Sequence, residues 1–158
     1  MKDTIDVCAG ITEASALYQT RRFRPEFVDG AVQCEASVLR PVNDLGLSAE
    51  LRLAIALRIA KHNGVASLIA EYKQRFAEVA ATPALQALAH GQEMGAEWEA
   101  LARHIDMVTQ EPSLANAEHI ALLRQAGYSD SQIVALSELI AFVNFQTRVV
   151  SGLQLLGA

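Results

Sequence analysis

Three side chains have the chemistry that a small acid–base site needs. His104 borders the apolar stripe of a predicted helix, and His119 follows Glu118 on a short one, so each is a candidate general base. Arg148 offers a cation that would hold the carboxylate of a small organic acid. If the three converge on one pocket, they would act without a cofactor. The simpler alternative is that each histidine is a structural residue satisfied by its neighbours.

A second polar group interrupts the most apolar stretch of the chain. Asn144, Gln146 and Arg148 lie in a segment whose other residues are largely hydrophobic. Polar side chains that are buried there need partners, because burial without them costs several kcal/mol. We expect them to bond neighbouring backbone groups or to pair across a subunit interface. The alternative is a small anion pocket around Arg148, which the hydroxyl of Tyr72 would also reach.

Thiol and metal chemistry have little support in the sequence. The two cysteines, Cys8 and Cys34, lie far apart in sequence, and we expect both to be reduced and buried as small hydrophobic residues. Neither His-x-x-x-His nor a Cys/His ligand spacing occurs, so we predict no metal site and no cofactor. His62 and His90 fall at predicted helix ends, where a cation interacts well with the helix dipole.

Composition predicts a soluble protein with a substantial core. The chain has 158 residues, of which 51% are hydrophobic and 20% charged, which suits one domain. A net charge of −5 without a run of Lys and Arg argues against nucleic acid as a partner. Glu138 and Arg148 break the apolar stretch 133–156, so we predict no membrane span. With no signal peptide visible, we expect a cytoplasmic protein.

The elements that must position these residues are helices. Helical periodicity runs through the chain, and no segment alternates like a half-buried strand. We predict one or two short helices within 4–19, broken near Gly10, and a third from Pro25 to Pro41. Later boundaries are predicted from caps and turns at Ser48, Asn63-Gly64, Thr82-Pro83, Pro112, Asn116, Gly127 and the Ser129–Gln132 capping box. The prediction is an all-α, multi-helix fold ending in a long apolar helix.

Two blocks of sequence carry a family resemblance. The first is LSAELRLAIALRIAKHNG, residues 47–64, and the second is EHIALLRQAGYSDSQIVALSELIAFVNFQTRVVSGLQLLG, residues 118–157. They resemble the alkylhydroperoxidase AhpD-like, or carboxymuconolactone decarboxylase, family. The second block is similar to a subgroup that lacks the redox motif. The resemblance implies a single AhpD-like domain over 1–158, with an N-terminal helical extension (1–46) and a core (47–158).

The resemblance also locates where the family's redox site would lie. Peroxidase members carry a Glu on one helix and a C-x-x-C-x-x-x-H run at the start of the next, which supply two thiols and their proton carriers. On this chain, the Glu falls at Leu53, the cysteines at Val65 and Leu68, and the His at Tyr72. No cysteine follows Cys34, so no shift of the alignment restores the motif. We therefore predict that the chain has no disulfide-based peroxidase activity.

Three functions stay open at this stage. The first is a redox-inactive structural or partner protein, because the resemblance implies an oligomer, with a peroxidase-type relative as a further partner. The second is a cofactor-free enzyme acting on an organic acid or lactone through His104 or His119 with Arg148. The third is a small-ligand binding module that uses the space of the lost redox site.

Overall fold

The computed structural model describes residues 3–157, which form nine α-helices and one short 3₁₀-helix and contain no β-strand. The helices are α1 (Thr4–Ala9), α2 (Ala16–Arg21), α3 (Pro25–Leu39), α4 (Ala49–Asn63), α5 (Ala66–Ala77), α6 (Pro83–His90), α7 (Ala96–Gln110), α8 (Ala117–Gln125) and α9 (Asp130–Leu156), with the 3₁₀-helix at Pro112–Leu114. The predicted all-α fold is confirmed.

Local capping fixes most of the helix boundaries. The side chains of Ser48 and Thr82 accept hydrogen bonds from the first turns of α4 and α6. Ser129 and Gln132 form the predicted reciprocal capping box at the start of α9. Gly64 ends α4 with a φ of 76°, a left-handed conformation that lets the chain turn at once into α5.

Helix α4 lies at the centre of the protein. Every residue from Leu51 to Ala60 is buried, and α5, α6, α7 and α9 all pack against this helix. Such a helix is stable only when neighbours cover all of its sides. The 47–64 block is therefore the structural centre of the fold.

Two arginines are buried with α4, and both are paired. Arg52 is 2% exposed and donates to the backbone carbonyls of three residues before it, Val38, Asp44 and Leu47. Arg58 makes two 2.6 Å bonds to the carboxylate of Asp106 on α7 and donates to the carbonyl of Leu88 at 2.8 Å. Because these donors are satisfied, the two cations hold α3, α6 and α7 against α4.

The C-terminal helix α9 is long enough and apolar enough to cross a membrane by length and composition alone. In its most apolar 18-residue window, 61% of the residues are buried inside the protein, as in the core helix of a globular domain. The helix packs against α1, α3, α4, α7 and α8. It thus brings Asn144 and Gln146 against the middle of the fold.

The N-terminal helices belong to the same core. Ile5 and Cys8 of α1 and Val38 of α3 are buried in one hydrophobic cluster with α4 and α9. The prediction that both cysteines are buried is right for Cys8 and wrong for Cys34, which is exposed on α3. Partial burial and then the nearby Glu138 carboxylate raise the pKa of the Cys34 thiol, so little thiolate forms there at neutral pH.

Candidate functional site

The four positions of the family's redox motif hold core side chains. Leu53, Leu68 and Tyr72 are 3%, 0% and 0% exposed, and all three belong to the main hydrophobic cluster. Val65 is the N-cap residue of α5 and packs against that cluster. All four positions that the resemblance assigns to the redox motif therefore carry side chains that lie in the hydrophobic core or pack against it.

The hydroxyl of Tyr72 begins a chain of buried hydrogen bonds. It donates to Oε1 of Gln146 on α9 at 2.7 Å, and Nε2 of Gln146 donates to Oε2 of Glu35 on α3 at 2.7 Å. Gln146 is fully buried. Burial, followed by the Glu35 carboxylate, raises the pKa of Tyr72, so this phenol stays protonated and acts as a donor.

Glu35 links this chain to a cluster of ions at the edge of the core. Its Oε1 accepts from Arg75 and from the hydroxyl of Thr4, each at 2.8 Å. Arg75 also pairs with Glu71 at 2.8 Å. Burial lowers the pKa of Arg75, but the bonds to Glu35 and Glu71 outweigh it and raise the pKa, so the cation persists. The cluster joins α1, α3, α5 and α9.

A surface cavity of about 380 Å³ opens beside this ion cluster. Its charged lining residues include Glu35, Glu71 and Arg75, which are already bonded to one another. A ligand would have to displace these ion pairs, which are partly withdrawn from water. The arrangement therefore explains how α3 and α5 are joined better than it explains binding.

The other polar residues of α9 bond mainly to their own helix. Asn144 donates to the carbonyl of Ile140 at 2.9 Å and accepts from Asn63 at 3.0 Å. Arg148 is exposed, and its guanidinium donates to the carbonyl of Asn144 at 3.0 Å. The structure thus places Gln146 with Tyr72 but leaves Arg148 outside the core. The expected backbone bonding is present, and Tyr72 and Arg148 do not share a pocket.

Helices α3 and α9 present an exposed apolar surface, here called the α3–α9 face. Phe27 and Phe145 are 57% and 43% exposed, although both are large aromatic residues. They flank a shallow groove of about 490 Å³. Its lining is largely apolar but includes two carboxylates, Glu26 and Glu138. The other lining residues are Phe27, Gly30, Ala31, Cys34, Ala141, Phe142 and Phe145.

His104 and His119 meet at a different cavity, between α7 and α8. This cavity has a volume of about 330 Å³ and includes both histidines in its lining. His104 is 6% exposed, and its Nδ1 is buried without a hydrogen-bond partner. The interpretation of His104 as a residue satisfied by its neighbours is therefore wrong for Nδ1, and Asp106, two positions along the chain, pairs with Arg58 and His62 instead. Arg148 lies on α9 and is not part of this lining.

The remaining histidines have structural partners. Nε2 of His62 lies 2.7 Å from Oδ1 of Asp106, and Nδ1 of His62 lies 3.0 Å from Nε2 of Gln110. His90 is the last residue of α6 and is exposed, with Nδ1 2.6 Å from Nζ of Lys61. Both therefore lie at helix ends, as predicted. No group of three metal-binding side chains occurs among residues 3–157.

Glu35, Arg75 and Asp106 were not identified from the sequence as functional or structural residues. In the structure, each of them bonds to partners on other helices. Each lies in an amphipathic helix, where a charged residue is ordinarily expected to face solvent. Their partners are distant in sequence, because the residue numbers of Glu35 and Gln146 differ by 111 and those of Arg58 and Asp106 by 48. No local pattern marks such pairs.

Comparison with known proteins shows which fold this chain shares. No family model and no curated protein matches the chain. Its structure is similar to the crystal structure of an uncharacterized peroxidase-related protein from Silicibacter sp. TM1040, with a TM-score of 0.71 and 16% sequence identity. The match covers 82% of this chain and 69% of that one. At this identity the likeness shows a shared all-helical fold, and it supports the AhpD-like fold expected from the sequence.

Proposed function

We propose that this chain is a redox-inactive AhpD-like protein that works by assembling with a second copy of itself through the α3–α9 face. The observation that carries the proposal is the exposure of Phe27 and Phe145 together on this face. Large contiguous apolar patches on the surface of a soluble protein commonly mark interaction sites. Assembly would remove both rings from solvent.

The filled redox positions support a function without thiols. Disulfide-based peroxide reduction requires one thiolate that attacks and a second thiol that resolves the sulfenic acid. Here Val65 and Leu68 occupy those positions, and Tyr72 is bonded to Gln146. The same region that would perform chemistry in a peroxidase contributes to the core here, so the surface is the better place to look for function.

The α3–α9 face continues beyond its central groove. Phe23, 87% exposed, shares a neighbouring hollow with Phe27, and Val134, 58% exposed, shares another with Glu138. Burying one Phe side chain contributes roughly 1.5–3 kcal/mol. A two-fold interface uses each residue twice, so Phe27 and Phe145 alone would supply four buried rings. Aromatic enrichment with few charges is the composition of an interface centre.

Sedimentation velocity of the full chain at micromolar concentration tests the proposal. We expect the unmodified protein to sediment as a dimer or larger assembly. The double variant Phe27→Glu/Phe145→Glu should sediment as a monomer, because four apolar rings would be replaced by four carboxylates in addition to those of Glu26 and Glu138. Leu114→Glu is the matched control, since Leu114 is 54% exposed but lies outside the face. Circular dichroism melting checks that all three proteins are folded.

Two results would contradict the proposal. One is a strict monomer for the unmodified protein, and the other is unchanged sedimentation of the double variant. A peroxidase-type relative of the same fold is the second partner that such a face would accept. A cytoplasmic location without nucleic-acid or membrane partners belongs to the same proposal, supported by the net charge of −5 and the partial burial of α9.

A further inference from the structure

The α7–α8 cavity has features that self-association does not explain. Its volume of about 330 Å³ is near the lower end of the range for small-molecule pockets, roughly 300–1,000 Å³. Much of its wall is apolar and comes from four residues: Ala96, Ala100, Met107 and Leu122. Methionine adapts its shape to different ligands more readily than branched side chains do. The cavity therefore suits a small molecule with an apolar body.

His104 gives this cavity an unmet hydrogen-bonding group. Its Nδ1 is the one side-chain nitrogen or oxygen that is buried without a partner among residues 3–157. Nearly all such atoms in native proteins are satisfied, so this exception calls for an explanation. A 180° turn of the imidazole about Cβ–Cγ exchanges the edge that carries Nδ1 with the opposite edge. In the orientation shown Nδ1 itself is buried, so a ligand in the cavity supplies the missing partner once the ring has turned in this way.

His119 is held in one tautomer by the cap of its own helix. Its Nδ1 accepts a hydrogen bond from the backbone N–H of Asn116 at 3.2 Å, as the second half of a capping box. The neutral ring therefore carries its proton on Nε2 and offers one donor. Both histidines line the same cavity, His104 with a ring nitrogen that lacks a partner and His119 with one donor fixed by its tautomer.

The two charged residues of the cavity lining have opposite signs and pair with each other. Arg103 donates to Oε1 of Glu99 at 2.7 Å, and both residues line the cavity. Burial, with a smaller contribution from His119, lowers the pKa of His104, so its ring is neutral at pH 7. Because these two charges neutralise each other and the His104 ring is neutral, the lining has no unpaired charge to offset the hydration that an ionic ligand would lose. The lining therefore favours a ligand without net charge.

We infer that the α7–α8 cavity binds a small uncharged molecule with an apolar body and one hydrogen-bonding group, such as a phenol or an alcohol. The apolar body lies against Met107 and Leu122, and the polar group bonds to the imidazoles of His104 and His119. This site lies on helices other than α3 and α9, so a test of ligand binding here does not depend on whether the protein assembles through the α3–α9 face.

Two-dimensional ¹H–¹⁵N NMR titrations of the full chain test the inference, with phenol, toluene and benzoate as probes of similar size. We expect phenol to give saturable shifts confined to residues of α7 and α8. Toluene should bind about tenfold more weakly because it lacks the hydroxyl. Benzoate should bind more weakly than phenol because its carboxylate would lose hydration without meeting an unpaired cation. Absence of saturable phenol shifts, or tighter binding of benzoate, would overturn the inference.

Matched variants identify the binding group. His104→Phe should weaken phenol binding about tenfold and leave toluene binding unchanged or stronger, since only the polar contact is lost. His90→Phe is the control, because His90 is exposed on α6 and away from the cavity. If both variants bind phenol equally well, the assignment of His104 fails.

One further variant covers the case in which His104→Phe does not fold. Leu122→Trp places a larger ring in the cavity at a position that is already 48% exposed, so it should be tolerated by the fold. We expect it to abolish the phenol shifts. Unchanged phenol binding in this folded variant would place the ligand elsewhere and overturn the inference.

Discussion

Replacing Tyr72 by Phe should weaken the fold, although the change removes a single oxygen atom. The hydroxyl of Tyr72 donates to Oε1 of Gln146 at 2.7 Å, and both residues are fully buried. After the substitution, the amide of Gln146 keeps its bond to Glu35 through Nε2. Its Oε1 loses the Tyr72 donor, and water has no access at 0% exposure.

The expected loss follows from that unsatisfied oxygen. A buried acceptor deprived of its donor costs about 1–3 kcal/mol, so we expect the free energy of unfolding to fall by about 2 kcal/mol. For a chain of this size, such a change lowers the melting temperature by about 4–8 °C. Urea denaturation followed by circular dichroism, at one fixed protein concentration, measures the difference.

The control is Tyr128→Phe. Tyr128 is half-buried, and its hydroxyl makes none of the hydrogen bonds found among the described residues. Loss of the same oxygen there should change the free energy of unfolding by less than about 0.5 kcal/mol. A double-mutant cycle of Tyr72→Phe with Gln146→Leu should then give a coupling energy of about 1–2 kcal/mol. Additive effects, or equal losses in the two Phe variants, would refute the argument.

Two further predictions concern groups on α7. Asp106→Asn should lower the free energy of unfolding by about 3 kcal/mol in the same urea assay. The reason is that the largely buried Arg58 cation would lose the Asp106 carboxylate that pairs with it. A loss under about 1 kcal/mol would contradict this. Burial lowers the pKa of His104 in the folded state, so the unfolded chain takes up that proton first as the pH falls below about 6.5, and the fold loses stability there. His104→Gln should therefore show a smaller decline in the free energy of unfolding between pH 7 and pH 5 than the unmodified protein, and equal declines would contradict it.

The local parts of the fold were predictable because their causes lie within a few residues. The stop at Gly64 needs a residue that tolerates positive φ, and the start of α9 needs a side-chain acceptor at Ser129 with Gln132 three positions later. Both signals are complete within short segments of sequence. The burial of Leu53 and Leu68 was predictable for a similar reason, because each belongs to the apolar stripe of its own helix.

The polar contacts were less predictable because they depend on how helices pack. The sequence marked Gln146 as a buried polar residue in need of a partner, but nothing in it pointed to Tyr72 or Glu35. The same holds for Arg148, which has the same kind of helical surroundings but is exposed. Two positions along a helix rotate a side chain by about 200°, so Gln146 and Arg148 face opposite directions.

The two neighbours Phe145 and Gln146 show how α9 serves both the core and the surface. Gln146 points into the protein and bonds with Tyr72, whereas Phe145 is 43% exposed on the α3–α9 face. Changes at Gln146 should therefore act on the stability of a single copy, and changes at Phe145 should act on association with little effect on that stability. The two roles are separable by mutation even though the residues are adjacent. If Phe145→Glu weakened the isolated fold as much as Gln146→Leu does, Phe145 would be part of the core and the assembly proposal would lose its main support.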